Sequence, residues 1–304
     1  MSVVYAVSAS LLFGSADYLG GTATRYSSPW VVLVYSQLFG IVLGIAAVVL
    51  LPGGQMTMAD AVFGALAGLA GAVGLATLSY SLAHTVVSVA SPVAAVFGAA
   101  VPLVFGLAVG ESTDAVGAAG MAIAFVAIVL VSGEPKEPAA TPGHVDQSRV
   151  KESGEPAEQS ARATAARRAA VLGALAGIGF GAFFIAISQT GRNSGLGPLV
   201  VARAVSIIAV VMLQVVRKGS FRLDRASRRP TFGAGILDMA ANIAFLLAVR
   251  SGLIIVVTLI TSTYPAMTVG LSRMVDKEQL GVRRAIGLAS AIVAVALIGV
   301  SGVD

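Results

Sequence analysis

Apolar residues occupy consecutive positions in this chain, in runs broken only by short polar stretches. Each run is about 20 residues long, the length a helix needs to cross the hydrocarbon core of a bilayer. The runs predict spans at 3–23, 30–51, 60–80, 86–109 and 115–133, then at 167–188, 197–216, 231–249, 253–275 and 281–302. Inside lipid every backbone N–H and C=O must pair within the protein, which leaves helices or closed barrels. Barrel strands alternate polar with apolar residues, and these runs do not. The fold class expected is therefore an all-α membrane protein with ten transmembrane helices.

One stretch has a different character. Residues 134–166 collect Glu134, Lys136, Glu137, Asp146, Lys151, Glu152, Glu155 and Glu158 with Pro142, Gly143, Gly154 and Pro156, and hold almost no large apolar side chain. Such a composition buries too little surface to offset ordering entropy, so it predicts a flexible charged linker between units at 1–133 and 167–304. A plain tether suffices; a regulatory role is the alternative.

The two units repeat one another at a displacement of 167 residues. Phe13 and Gly14 fall on Phe180 and Gly181, Glu111 on Glu278, and Ala118, Gly120, Ala124 and Leu130 on Ala285, Gly287, Ala291 and Leu297. Five spans per unit is an odd number, so two copies joined in series point opposite ways across the membrane, as in transporters built from inverted repeats. The charges agree. Arg25, Arg149, Arg167, Arg168, Arg217, Lys218, Arg222, Arg273 and Arg283 fall on one face, whereas the other carries only Arg192 and Arg250. Basic loops stay in the cytoplasm. The linker is thus expected on the cytoplasmic side of the cell membrane and both termini outside.

Composition narrows the chemistry. The chain is 57% hydrophobic and 12% charged, with no cysteine and a pI near 9.8. Disulfides, thiolate metal sites and cysteine nucleophiles are excluded. His84 and His144 are the only histidines, too few for a histidine-based metal or catalytic cluster. The basic residues flank spans and read as topology signals, not as a nucleic-acid surface. No GxSxG, Walker-type loop, HExxH or EF-hand loop occurs. The pattern calls for no cofactor and no metal, and it argues against an enzyme. ATP cannot power transport through this chain alone.

Gly173, Gly177 and Gly181 recur every fourth residue, as do Gly64 and Gly68. Small residues at that spacing let helices approach closely in lipid. Packing within one chain is the simpler use, and a homodimer face is the alternative. Trp30 beside Pro29 reads as an interfacial anchor.

The start LLFGSADYLGG (11–21), the fourth span ending at Glu111, and Thr263-Tyr264-Pro265 before Glu278 resemble the drug/metabolite transporter superfamily, and more narrowly its EamA-type ten-helix members. The resemblance implies two inverted five-helix repeats around a central cavity. Spans one, three, four, six, eight and nine would line it, and spans five and ten, like the second helix of each repeat, would be peripheral. The fourth span departs from the family pattern: Gly98 stands where the second half has Pro265, with Pro92 and Pro102 on either side.

Asp17, Arg203 and Asp238 are ionisable residues inside predicted spans. A charge at a helix centre costs about 2.5–3.5 kcal/mol on insertion scales, so each is a functional candidate. Asp17 reads as a cation- or proton-binding carboxylate, or else as a structural partner of Arg203, Ser15 or Tyr18. Asp238 with Asn242 one turn later offers an acceptor and an amide to a substrate ammonium or hydroxyl. Asn242 also suits an interhelical clamp. Arg203 could hold a substrate carboxylate in a bidentate grip, or serve a structural partner. Tyr18, Thr263 and Tyr264 complete the candidate set. Pro265 would free a backbone carbonyl to line a cavity. The duplicated Glu111 and Glu278 point to helix-end anchoring, with a gating salt bridge as the alternative.

These features predict a secondary transporter, an exporter or exchanger of small polar or amphipathic metabolites such as amino acids, working by alternating access. Proton-coupled efflux of cationic drugs is the alternative, since two carboxylates against one arginine leave a negative interior. A lipid-modifying intramembrane enzyme would need a nucleophile or dyad that is missing. A channel would show rings of charge or filter motifs.

Overall fold

The computed structural model describes residues 1–51, 53–84, 87–132, 156–277 and 281–300. Its elements are all helices: α1 (Ser2–Thr24), α2 (Pro29–Leu50), α3 (Met58–His84), α4 (Val87–Ala108), α5 (Ala115–Ser132), α6 (Pro156–Ser188), α7 (Gly197–Val216), α8 (Arg225–Val249), α9 (Ile254–Thr261), α10 (Tyr264–Asp276) and α11 (Val282–Val300). Among the described residues nine segments are long and apolar enough to cross a membrane, Ile254–Val275 counting as one, and α5 is a shorter tenth. Large apolar side chains such as Val49 (69% exposed), Ile292 (68%) and Val104 (64%) cover the outside. A surface of that kind suits hydrocarbon, not water. The chain is an all-α membrane protein.

Two boundaries differ from those the apolar runs predict. Helix α6 begins at Pro156, inside the segment marked as linker. Ala157, Ala161, Ala163, Ala165 and Ala166 lie there, and alanine is the strongest helix former, so low hydrophobicity did not prevent helix formation. Residues 134–155 of that segment, and Glu278, lie outside the described residues. The ninth span is not one helix: it breaks between Thr261 and Tyr264. Pro265 has no N–H to give the Thr261 carbonyl. Thr263 N instead closes a tighter turn on Ile260 O at 3.1 Å. Helix α4 contains Pro92 and Pro102 yet runs unbroken. At the position matching Pro265 it has Gly98, which keeps its N–H.

The helices of the two halves interleave. α3 and α4 pack with α6 and α7; α1 and α2 pack with α8, α9 and α10; α5 and α11 pair alongside. Glycine makes these contacts close. A Cβ at Gly173 would come within 2.5 Å of Ala90 O, and one at Gly177 within 2.5 Å of Ala94 O. The Gly64 stripe meets Pro198 of α7 in the same way. Both small-residue stripes are thus spent on packing inside the chain.

Registers give helix directions. Gly64 meets Pro198 and Gly68 meets Ala202, so α3 and α7 run parallel. Gly120 meets Ile298 and Gly287 meets Val131, so α5 and α11 run antiparallel. Trp30 is 6% exposed and lies beneath the Arg217 guanidinium, 4.1 Å from ring to Cζ, so it is covered by protein and is not a free interfacial anchor.

Candidate functional site

Between the two interleaved bundles lies a cavity of about 190 Å³. Its polar lining is Asp17 from α1, Gln37 from α2, Arg203 and Ser206 from α7, Asp238 and Asn242 from α8, with Ser262 and Tyr264 at the break after α9. The rest of the wall is apolar or aromatic, including Phe13, Phe180, Phe183 and Phe184.

One connected network holds most of the polar groups. Arg203 Nη2 donates to Asp238 Oδ2 in a close ion pair. Arg203 Nη1 donates to Gln37 Oε1 at 2.7 Å, and Gln37 Nε2 donates to Ser206 Oγ at 2.7 Å. Asn242 Nδ2 donates to the Asp238 carbonyl at 2.7 Å and lies 3.4 Å from Asp238 Oδ2. Two ends of the guanidinium fork are therefore committed. Arg203 keeps 10% of its side chain exposed while Asp238 keeps 35%, so the carboxylate is the open member of the pair.

Asp17 is different. It is exposed on the cavity wall, close enough to Asp238 for their charges to interact, and among the described residues it has no hydrogen-bond or ion-pair partner. Ser15 turns its hydroxyl to Leu11 O at 2.8 Å instead. The aromatic wall beside it is continuous: Phe13 stacks edge-on to Phe184 with centroids 6.3 Å apart and lies 6.2 Å from Tyr264, and Phe184 lies 4.3 Å from Phe245. An unpaired carboxylate next to aromatic faces favours a ligand with a positive head and an apolar body.

Five of the seven sequence-derived candidates, Asp17, Arg203, Asp238, Asn242 and Tyr264, meet at this cavity. Two do not line it. Tyr18 points to the basic end, near Arg25 and Asp276, which pair with each other at 3.3 Å. Thr263 is buried in the helix break, where its hydroxyl donates to Ile260 O at 2.7 Å and lies 3.1 Å from Ser10 Oγ. The expected periphery of the second helix in each repeat is corrected here: α2 supplies Gln37, and α7 supplies Leu199, Ala202, Arg203 and Ser206. The reason is the interleaving, which turns α2 toward α8 and α7 toward α3. Gln37 and Ser206 are polar residues inside apolar runs, and without a charge they do not stand out from those runs in the sequence.

Beyond the cavity, loops from both halves seal the less basic end. Asp60 accepts from Gly191 N at 2.7 Å and from Thr57 N at 2.8 Å, and Arg250 donates to Ser194 Oγ at 2.7 Å. Burial lowers the Arg250 guanidinium from its ordinary value, and the Asp60 charge opposes that shift. Glu111 acts as the expected helix-end anchor: its two carboxylate oxygens accept from Ile254 N and Ile255 N, both at 3.0 Å, at the start of α9. Among the described residues no group of three acidic or histidine side chains could hold a metal.

Comparison with known proteins fits this picture. Residues 167–300 match the EamA-like transporter family. No curated protein matches the chain significantly. A solved crystal structure shares the fold with a TM-score of 0.71, at 15% identity, covering 97% of this chain and 95% of that one. At that identity the likeness concerns the fold alone. The likeness to EamA-like transporters thus rests on the second half of the chain.

Proposed function

We propose that the protein is a secondary carrier in the cytoplasmic membrane that exports or exchanges small amphipathic molecules bearing a cationic group. The carrying observation is Asp17: a carboxylate on the cavity wall, without a partner among the described residues, beside Phe13 and Tyr264. Arg203 is held by Asp238 and Gln37, so the cavity offers a free negative charge and no free positive one. This favours the cation reading over that of ordinary amino acids, whose carboxylate would need Arg203. Asp17 could hold a substrate cation or a proton in turn, which would couple the two.

Alternating access through inverted repeats supports the same reading. Gly120 against Ile298 and Gly287 against Val131 are equivalent contacts exchanged between halves. So are Gly14 against Thr268 and Gly181 against Val101. Such exchange is what a two-fold axis relating the halves produces. The basic end would face the cytoplasm, with both termini outside.

A thermal-shift comparison of purified protein tests the class. Benzyltrimethylammonium should raise the midpoint in proportion to its occupancy, phenylalanine less, and benzoate not at all. Stabilisation by benzoate alone would overturn the assignment.

A further inference from the structure

The two bundles touch chiefly where α2 meets α7 and α4 meets α9, and the polar contacts between them at the cavity centre on Arg203 and Gln37. Arg203 belongs to the bundle of α3, α4, α6 and α7; its partners Asp238 and Gln37 belong to the other, and Gln37 in turn reaches back to Ser206 of α7. The charges are divided in the same way: both carboxylates lining the cavity, Asp17 and Asp238, sit on one bundle, and the lone lining cation sits on the opposite one. Asp238 is the more exposed member of the pair, and only its Oδ2 is engaged among the described bonds.

From this arrangement we propose that Arg203 is a built-in substitute for the substrate cation. In the empty cavity its guanidinium occupies Asp238 and ties the bundles together; a bound cation shared between Asp17 and Asp238 displaces it. The substitute lets the empty carrier rearrange without leaving Asp238 uncompensated, so return of the empty protein depends on Arg203 while movement of the loaded protein does not. This rests on the cation reading of the cavity, which the pair itself does not require.

Two consequences follow for a carrier lacking the substitute. Competition for Asp238 disappears, so ligand affinity rises by the fraction of time Arg203 had occupied the site, about tenfold if that occupancy is nine-tenths. The empty carrier stalls, so net flux falls while exchange persists.

The test uses the full chain in vesicles with radiolabelled benzyltrimethylammonium, comparing net efflux into cation-free buffer with exchange against unlabelled cation. Arg203→Gln should bind the probe about tenfold more tightly, lose about nine-tenths of net efflux and keep exchange within about twofold of the unaltered protein. Arg203→Lys should keep the original ratio of net flux to exchange. The paired variant Arg203→Gln with Asp238→Asn should recover that ratio, because the carboxylate that Arg203 compensates is gone as well, and it guards against a folding defect of the single variant. Unchanged affinity and ratio in Arg203→Gln would overturn the inference, as would equal loss of both fluxes in all three variants. Failure of the unaltered protein to bind the probe would instead overturn the cation reading itself, and this inference with it.

Discussion

Gly120 and Gly287 occupy matching places in one contact made twice. A Cβ on Gly120 would lie 2.8 Å from Ile298 and 3.1 Å from Leu297; a Cβ on Gly287 would lie 2.8 Å from Val131 and 2.9 Å from Leu130. Each glycine faces the repeat counterpart of the residues that the other faces. That reciprocity is packing evidence of the same duplication the sequence carries.

If the repeats are inverted, repeat-equivalent loop residues lie on opposite sides of the membrane. Tyr26 and Asn193 are such a pair, both exposed, and the chain has no native cysteine. In intact cells a membrane-impermeant maleimide should label Asn193→Cys and spare Tyr26→Cys until the cells are broken. Labelling of both from outside would refute the inversion.

The two acidic cavity residues should differ in what they contribute to stability. Asp17→Asn removes a charge that has no partner, so the melting midpoint should hold steady or rise while binding of benzyltrimethylammonium weakens at least tenfold, or about 1.4 kcal/mol. Asp238→Asn strands the Arg203 guanidinium and should destabilise by about 1–3 kcal/mol, less than for a fully buried pair because Asp238 is partly open. Equal stability losses in denaturation of the two variants would contradict the geometry.

Glu111 caps a helix from the opposite half of the chain. Glu111→Ala should lower stability by about 1–2 kcal/mol through two orphaned N–H groups at Ile254 and Ile255. Glu111→Gln, which keeps one acceptor, should lose less. A thermal melt showing no change for the alanine variant would mean that water serves those amides equally well.

Pro265→Ala returns an N–H to the position opposite the Thr261 carbonyl. Pro265 stands in the first turn of α10, where proline is tolerated, so the prediction is a melting midpoint that is little changed and a flux slower by at least threefold, because Tyr264 is carried by the break. Faster flux with a healed helix would sink the link between break and function.

Much of the fold is readable from local physics. Consecutive apolar residues over a bilayer's thickness demand helices wherever no water can satisfy the backbone, and that demand needs no tertiary partner. Phe13-Gly14 against Phe180-Gly181 reveals the duplication, and Asp17, Arg203 and Asp238 stand out because charge is rare in such runs. The helical start at Pro156 was hidden by polar composition, although its alanines carried the signal.

What remained illegible was which helix touches which. Sequence alone determined the membrane class and the identity of the intramembrane charges, and it pointed to a helix-end role for Glu111. Tertiary structure decided that α3 and α4 pack with α6 and α7, that Arg203 serves Asp238 and not Asp17, and that Gln37 and Ser206 join them while Tyr18 and Thr263 stay away. The physical reason is that hydropathy is nearly the same all round several of these helices, α1, α3, α5 and α6 among them. It fixes that a segment is buried in lipid or protein, whereas the choice of neighbour comes from close-range packing of glycines against particular backbones, a property of pairs of residues far apart in the chain.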